Sequence, residues 1–195
     1  MATYHAIAAT GQAILGMLAD ACPKPEFAGA RFELYQPGDF QKPMEEGLSL
    51  YLYRLAINRT RRTLPAQPAP DGRRYRVPLS VDLYYLLTAW AKSAARQQHV
   101  LGWAMRALED SPIMAAGVLN HYGPDPETFR ATEAVELVGE PLSLQDLTNI
   151  WDILKLNPQT SAGYVARLIS IDSSLPLVEA EPVQTRVFDL AKGPA

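Results

Sequence analysis

The chain has 195 residues, of which 48% are hydrophobic and 20% charged, and its formal net charge is -3. This length and composition predict one globular domain, and the slightly acidic balance excludes a general electrostatic attraction to nucleic acid. The single cysteine, Cys22, excludes an intrachain disulfide and a cysteine-based zinc site, and it fits a reducing, cytoplasmic compartment.

The first predicted element is a helix over residues 3–22, where apolar residues recur at three- and four-residue spacing until Pro23 ends the pattern. This segment lacks the basic start of a signal peptide, and no stretch of the chain reaches the roughly 20 apolar residues of a membrane span. We therefore expect no membrane partner. A short strand is expected within residues 31–40, before the turn signal at Pro37 and Gly38.

Two apolar, tyrosine-rich runs, residues 48–58 and 75–87, alternate with a period of two and predict a pair of antiparallel strands. Setting Arg54 opposite Asp82 makes one face of this pair apolar throughout. The pattern predicts a sheet that is covered on both faces at its base and on one face toward its tip. Pro78 cannot donate to a strand ladder, so it predicts an edge or a bulge.

The remaining elements alternate between helix and strand. We predict a helix over residues 93–110, a strand over Thr132–Val138 and a helix that begins at Ser143, with Asp146 completing a capping box. Residues 112–127 are predicted to be irregular. Further strands are predicted at residues 163–172 and Thr185–Leu190. This order predicts an α+β fold, with a mainly antiparallel sheet flanked by about three helices.

The sequence carries no recognisable catalytic or ligand-binding motif. The three histidines have no metal-ligand spacing, and the chain contains no nucleophile elbow, phosphate-binding loop or dinucleotide-binding glycine motif. Its paired carboxylates, at residues 45–46 and 109–110, end segments where solvated charge is the ordinary explanation. We therefore predict no catalytic residues, no cofactor and no metal site.

Arginine is concentrated in one connection. Seven of the thirteen arginines lie between Arg54 and Arg76, and residues 43–91 contain no lysine. Three interpretations are open: a protein contact, a solvated hairpin tip, and a nucleic-acid site with few aromatic residues for stacking. Arginine is preferred at protein contacts because its guanidinium binds carboxylates in two places. The candidate interface consists of Arg59, Arg61, Arg62, Arg73 and Arg74.

Three blocks of the sequence resemble a known family. The first is LSLYLYRLAINRTRR followed, after a proline-rich connection, by VPLSVDLYYLLTAW; the others are LGWAMRALEDSPIM and WDILKLNPQTSAGYVARLISID. In this order they are similar to the cap protein family of contractile injection systems, of the antifeeding-prophage type. The resemblance covers residues 3–175, and the last twenty residues are not clearly matched.

The resemblance implies a phage tail-terminator-like domain over residues 1–175, followed by an arm or tail over residues 176–195. It implies a structural cap that sits as a ring, typically hexameric, on the distal end of the inner tube and sheath of a phage-tail-like particle. The expected partners are copies of the chain, the tube protein and the sheath protein, with nucleic acid not expected. The family has no accepted catalytic residues.

Two other functions stay open at this point. The first is a tail-completion or neck protein of a contractile-tailed phage, and the second is a nucleic-acid binder that uses the arginine-rich connection. Within the cap interpretation, the five arginines are predicted to dock on acidic groups of a neighbour. The segment Thr185–Leu190 is predicted to add a strand to a neighbouring sheet.

Overall fold

The computed structural model describes residues 2–58 and 74–177, and it confirms the α+β class. The described part contains four α-helices where about three were predicted. The helices are α1 (Ala6–Ala21), α2 (Ala94–Asp110), α3 (Ala116–Tyr122) and α4 (Leu144–Leu154), with a short 3-10 helix at Asp39–Gln41. The strands are β1 (Arg31–Tyr35), β2 (Gly47–Ile57), β3 (Leu79–Trp90), β4 (Ile113–Ala115), β5 (Ala134–Gly139) and β6 (Ser161–Ile171).

The six strands form one sheet in the order β1-β2-β3-β6-β5-β4. The pair β1–β2 is parallel, and every other neighbouring pair is antiparallel, so the predicted mainly antiparallel sheet is confirmed. The parallel pair is possible because residues 36–46, which include the 3-10 helix, cross from the end of β1 back to the start of β2. The long strands β2, β3 and β6 make up the centre of the sheet.

The predicted register of the β2–β3 pair is wrong. Arg54 lies opposite Tyr84 and not opposite Asp82, because the ladder shifts between Leu52 and Arg54. Tyr53 is the extra residue of a β-bulge at this point. A bulge inserts one residue into an otherwise regular alternation, and the apolar character of Leu52 and Tyr53 gives no sign of where this happens.

The bulge gives the apolar side chains on its two sides a common face. Leu52 lies opposite Tyr85 and Leu55 lies opposite Leu83, and both partners on β3 are buried in the same core. Without the bulge, residues 52 and 55 would point to opposite faces of the sheet. The bulge therefore lets the apolar pattern of β2 follow one face along the whole strand.

The sheet is packed on both faces at its base, as predicted. On one face, which we call the α1 face, α1 and α2 cover Leu50 and Leu87. On the opposite face, the α4 face, the ring of Phe40 packs against Trp90 and Trp151, with centroid distances of 6.1 and 5.7 Å. The prediction of one covered face toward the tip is only partly correct, because the tip side chains of β2 are exposed on the α1 face.

Residues 113–122 form β4 and α3, so the prediction that this region is irregular is wrong. The sequence gives little sign of α3, since the helix is short and Ala115 at its N-cap makes no side-chain capping bond. Tertiary packing holds it instead. Leu119 is fully buried, and Tyr122 packs so closely on α1 that a Cβ at Gly16 would lie 2.2 Å from its ring.

Two local predictions have different outcomes. Ser143 is the N-cap of α4, as predicted, and its hydroxyl oxygen accepts a hydrogen bond from the backbone N–H of Asp146 at 3.1 Å. The capping box is only half formed, because the carboxylate of Asp146 accepts from the hydroxyl of Ser143 at 2.6 Å and not from its backbone N–H. Pro78 marks neither an edge nor a bulge; it directly precedes the first residue of β3, an interior strand, where a missing N–H costs no ladder bond. The predicted strand Thr185–Leu190 lies outside the described residues.

Candidate assembly interface

One end of the sheet gathers the chain segments that surround the predicted arginine site. Leu177 donates its backbone N–H to the carbonyl of Arg74 at 2.8 Å, and Arg76 donates to the carbonyl of Leu175 at 3.0 Å. Across the β2–β3 ladder, Asn58 donates to the carbonyl of Ser80 at 2.9 Å. We call residues 55–58, 74–79 and 175–177 the sheet tip.

Both long segments outside the described residues, 59–73 and 178–195, are covalently joined to the sheet tip. The first connects Asn58 to Arg74, and the second follows Leu177. The N-terminal segment also reaches this end, where Ala2 is buried and bonds with Ser170 and Asp172 at the end of β6. Contacts made by either long segment therefore start from one side of the molecule.

The sheet tip presents apolar side chains to solvent. Ile57 is 62% exposed and Leu55 46%, although their partners Val81 and Leu83 on β3 are fully buried. Four other apolar side chains of the tip are exposed: Val77, Leu79, Leu175 and Leu177. A group of exposed apolar residues at one end of a packed sheet is typical of a protein–protein contact.

One member of the predicted arginine interface belongs to the sheet tip. Arg59, Arg61, Arg62 and Arg73 lie outside the described residues, and only Arg74 of the five is described. Arg74 is exposed and belongs to the sheet tip, beside Leu177. The five-arginine interface therefore stays a prediction, with one of its members at the apolar tip.

The α4 face near the sheet tip carries a cation over an aromatic ring. The guanidinium carbon of Arg54 lies 4.7 Å from the ring centroid of Tyr84, and Tyr53 lies beside the same ring. Burial raises the pKa of the Tyr53 hydroxyl, and the nearby carboxylate of Glu140 adds to this rise. Arg54 is exposed, so its charge remains accessible on this face.

A cleft of about 350 Å³ lies between α2, the β5–α4 connection and β6. Its lining includes Tyr164, whose pKa is raised to about 12 by burial and by the nearby carboxylate of Glu109. A tyrosine with a raised pKa stays protonated at neutral pH and is a poor general base. Much of the remaining lining is apolar and includes Met105, Pro141, Leu142 and Leu147.

Two of the titratable residues that were considered as possible ligands or nucleophiles make ordinary structural contacts. His99 pairs with Glu26 at 3.0 Å, and burial raises the pKa of the half-buried Cys22 thiol. Over residues 2–58 and 74–177, no group of three or more histidine, cysteine, aspartate or glutamate residues is close enough to hold a metal ion. In the same part of the chain, no helix is long and apolar enough to cross a membrane.

Sequence reasoning did not predict the exposed apolar tip. It placed Leu55 and Ile57 on a strand face, but it could not tell that α1 and α2 stop short of them. No local signal marks this exposure, because Leu55 and Ile57 on β2 are exposed while Leu83 and Val81, directly beside them on β3, are fully buried.

Two solved structures resemble this fold. The sheath/tube terminator of the extracellular contractile injection system PVC, in its extended state, has a TM-score of 0.64 at 18% identity, over 97% of this chain and 64% of the other. The tube-terminating cap of the anti-feeding prophage (AFP) has a TM-score of 0.56 at 18% identity, over 91% and 60%. The chain thus spans less than two thirds of either protein, and the tail-terminator-like fold is confirmed.

Comparison with curated proteins gives no significant match. A family model, the Pvc16 N-terminal domain, matches residues 9–185, which include all four helices and all six strands except the first residues of α1. This match agrees with the resemblance to the cap family that the sequence blocks carry. The chain belongs to the Pvc16 N-terminal domain family.

Proposed function

We propose that the chain is a structural cap of a contractile injection system, which ends the inner tube and sheath of a phage-tail-like particle. The observation that carries this proposal is the combination of family membership with a fold shared, over nearly the whole chain, with a sheath/tube terminator and a tube-terminating cap. The role is one of shaped contact and not of catalysis.

The proposed partners are further copies of the chain in a ring of six, the tube protein and the sheath protein. Each subunit of a ring must bury surface against two neighbours through a heterologous contact. The exposed apolar residues of the sheet tip support this, because side chains such as Leu55 and Ile57 are stabilised when a neighbouring subunit removes them from water.

The arginine-rich connection is proposed to dock on acidic groups of a neighbouring subunit, the tube or the sheath. Support comes from Arg74, which is exposed at the same tip as the apolar residues. Replacing Arg59, Arg61, Arg62, Arg73 and Arg74 with glutamate should give particles with loose or missing sheath ends in electron micrographs. Normal tube lengths and intact ends would remove the docking role.

The cap function itself is tested by deleting the gene and imaging the particles by electron microscopy. A missing cap should give tubes of irregular length, or sheaths that detach or contract early, because nothing would end the polymer or hold its last ring. Complementation with the unaltered chain should restore a narrow length distribution. Fully sheathed filaments of uniform length in the deletion strain would rule out the proposed cap.

A further inference from the structure

Half of β2 has no partner on its outer side within the described residues. β1 pairs with β2 only from Gly47 to Tyr51, so the part from Leu52 to Ile57 is an open edge next to the sheet tip. An open edge with exposed apolar side chains is a template for strand pairing, which proteins normally block with charges, proline or a covering element. Leu55 and Ile57 provide no such block.

The hydrogen-bonding groups on this edge can be assigned from the ladder. Asn58 donates to the carbonyl of Ser80, and in an antiparallel pair only alternate residues bond to a given neighbour. Ala56 therefore also bonds toward β3, whereas the N–H and C=O groups of Leu55 and Ile57 point away from it. These four backbone groups are available to an added strand.

The segment after Leu177 is suited in composition to fill this edge. Its residues 183–190, VQTRVFDL, include Phe188 and Leu190, which are two residues apart and so share one side of a strand. Leu55 and Ile57 have the same spacing on the α1 face. In an added strand, Phe188 and Leu190 would lie beside Leu55 and Ile57 on the same face of the sheet and would extend the core.

Charge gives a second match. If Phe188 and Leu190 face the α1 side, Asp189 between them faces the α4 side. That side of β2 carries Arg54, whose exposed guanidinium is held over the ring of Tyr84. An added strand in this orientation would bring the carboxylate of Asp189 close to the exposed guanidinium of Arg54. In the opposite orientation Arg186 would face the α4 side, where Arg54 offers it no opposite charge.

The positions of the two segments favour pairing between copies. Leu177 lies on the β6 side of β3, and the open edge lies on the far side of β2. A donor on one flank and an acceptor on the other is the arrangement of a head-to-tail contact, in which each subunit serves the next. Residues 178–182 can span up to about 17 Å, only slightly more than the three strand spacings, about 14 Å, that separate Leu177 from the outer side of its own β2, so pairing with the chain's own edge would need this linker almost fully extended across the sheet.

We propose that residues 183–190 of one copy add a strand to the open edge of β2, from Tyr53 to Ile57, in a second copy. Phe188 and Leu190 cover Leu55 and Ile57, and Asp189 meets Arg54. This contact rests on the proposed ring of copies and names the edge through which the ring closes. Each subunit gives one strand and receives one.

A peptide of residues 178–195 with a fluorescent label, titrated with the full-length chain, tests this contact. Fluorescence anisotropy should show saturable binding below about 1 mM, the effective concentration that a short tether supplies. Hydrogen exchange should show protection of the amides of Leu55 and Ile57. The double variant Leu55→Lys, Ile57→Lys should weaken binding at least about tenfold, because charges on an edge block pairing. The matched control is Leu144→Lys, Ile153→Lys, which changes two exposed side chains of α4 and should bind normally.

A charge exchange tests the orientation of the added strand. An Asp189→Arg peptide should bind weakly to the unaltered chain and recover on the Arg54→Asp variant. The proposal is overturned if the peptide binds neither the full-length chain nor a chain truncated after Leu177, or if it binds the double lysine variant equally well. Binding by the truncated chain alone, with a full-length chain that sediments as a monomer, would mean that each tail fills its own edge and would also overturn the proposal. Irregular tubes in the deletion strain without peptide binding would keep the cap function and remove this contact alone.

Discussion

The carboxylate of Asp82 accepts a hydrogen bond from the backbone N–H of Leu168 at 2.9 Å, where the β3–β6 ladder shifts register. Its other oxygen accepts from the side-chain amide of Asn58, also at 2.9 Å. Leu168 has a φ of 61°, a left-handed conformation that a leucine rarely adopts. One side chain of the central strand thus holds the end of β2 on one side and the irregular point of β6 on the other.

Replacing Asp82 with alanine should lower the free energy of unfolding by about 2 kcal/mol, because two hydrogen bonds to a charged group are lost. Asp82→Asn is the matched control, since its amide oxygen can still accept from the N–H of Leu168, and the loss should be smaller. Urea unfolding followed by circular dichroism measures both. A loss equal in the two variants would mean that the acceptor for Leu168 is unimportant.

Leu168→Gly should lower the free energy of unfolding less than the same change at a leucine in extended backbone. Both changes remove a partly buried side chain and add entropy to the unfolded chain, but at position 168 the relief of the left-handed conformation returns about 1 kcal/mol. Leu79→Gly removes a similarly exposed leucine from extended backbone and should cost about 1 kcal/mol more than Leu168→Gly. Thermal unfolding compares the two variants. A larger loss at position 168 than at 79 would contradict the strain at Leu168.

Two tyrosines in the core should respond in opposite ways to removal of the hydroxyl group. The hydroxyl of Tyr85 is buried and has no hydrogen-bond partner among the described residues, so Tyr85→Phe should raise the free energy of unfolding by about 1 kcal/mol. The hydroxyl oxygen of Tyr35 accepts from the backbone N–H of Met44 at 2.8 Å, and Tyr35→Phe should lower it by about 1 kcal/mol. Urea midpoints that move in the same direction would contradict this assignment.

Gly47 begins β2 in a conformation that other residues avoid, with a φ of 143°. A Cβ at this position would lie 2.0 Å from the carbonyl oxygen of Arg31, which belongs to the backbone of β1 and cannot move aside. Gly47→Ala should therefore cost at least about 3 kcal/mol. Gly38→Ala, at a site with open space around its Cα, should cost little. Equal midpoints for the two variants would contradict the close approach of β1 and β2.

Much of this fold could be predicted from local pattern. The alternation of residues 48–58 and 75–87 predicts β2 and β3, and Ser143 with Asp146 predicts the start of α4, because periodicity and capping are local properties. The bulge at Tyr53 could not be predicted in this way, because its position depends on which side chains of β3 lie opposite β2. The helix α3 is held by contact with α1 at Gly16, which no neighbouring residue in the sequence indicates.

The candidate interface also combines features that are visible in the sequence with features that depend on tertiary packing. The arginines from residue 59 to 76 are visible in the sequence, and their part in an interface stays a prediction. The apolar part of the interface could not be predicted, because the exposure of Leu55 and Ile57 depends on where the covering helices end. The same is true of the open edge of β2, which exists because β1 is only five residues long.

The central strand β3 contributes to both packed layers of the molecule. Leu83 and Leu87 point into the core beneath α1, and Leu86 and Trp90 point into the aromatic cluster beneath α4. Unfolding of either layer would expose one face of β3, the strand on which the other layer is also built. The two layers should therefore unfold together in a single cooperative transition. The indole of Trp103 beside one layer and those of Trp90 and Trp151 inside the other should report the same midpoint.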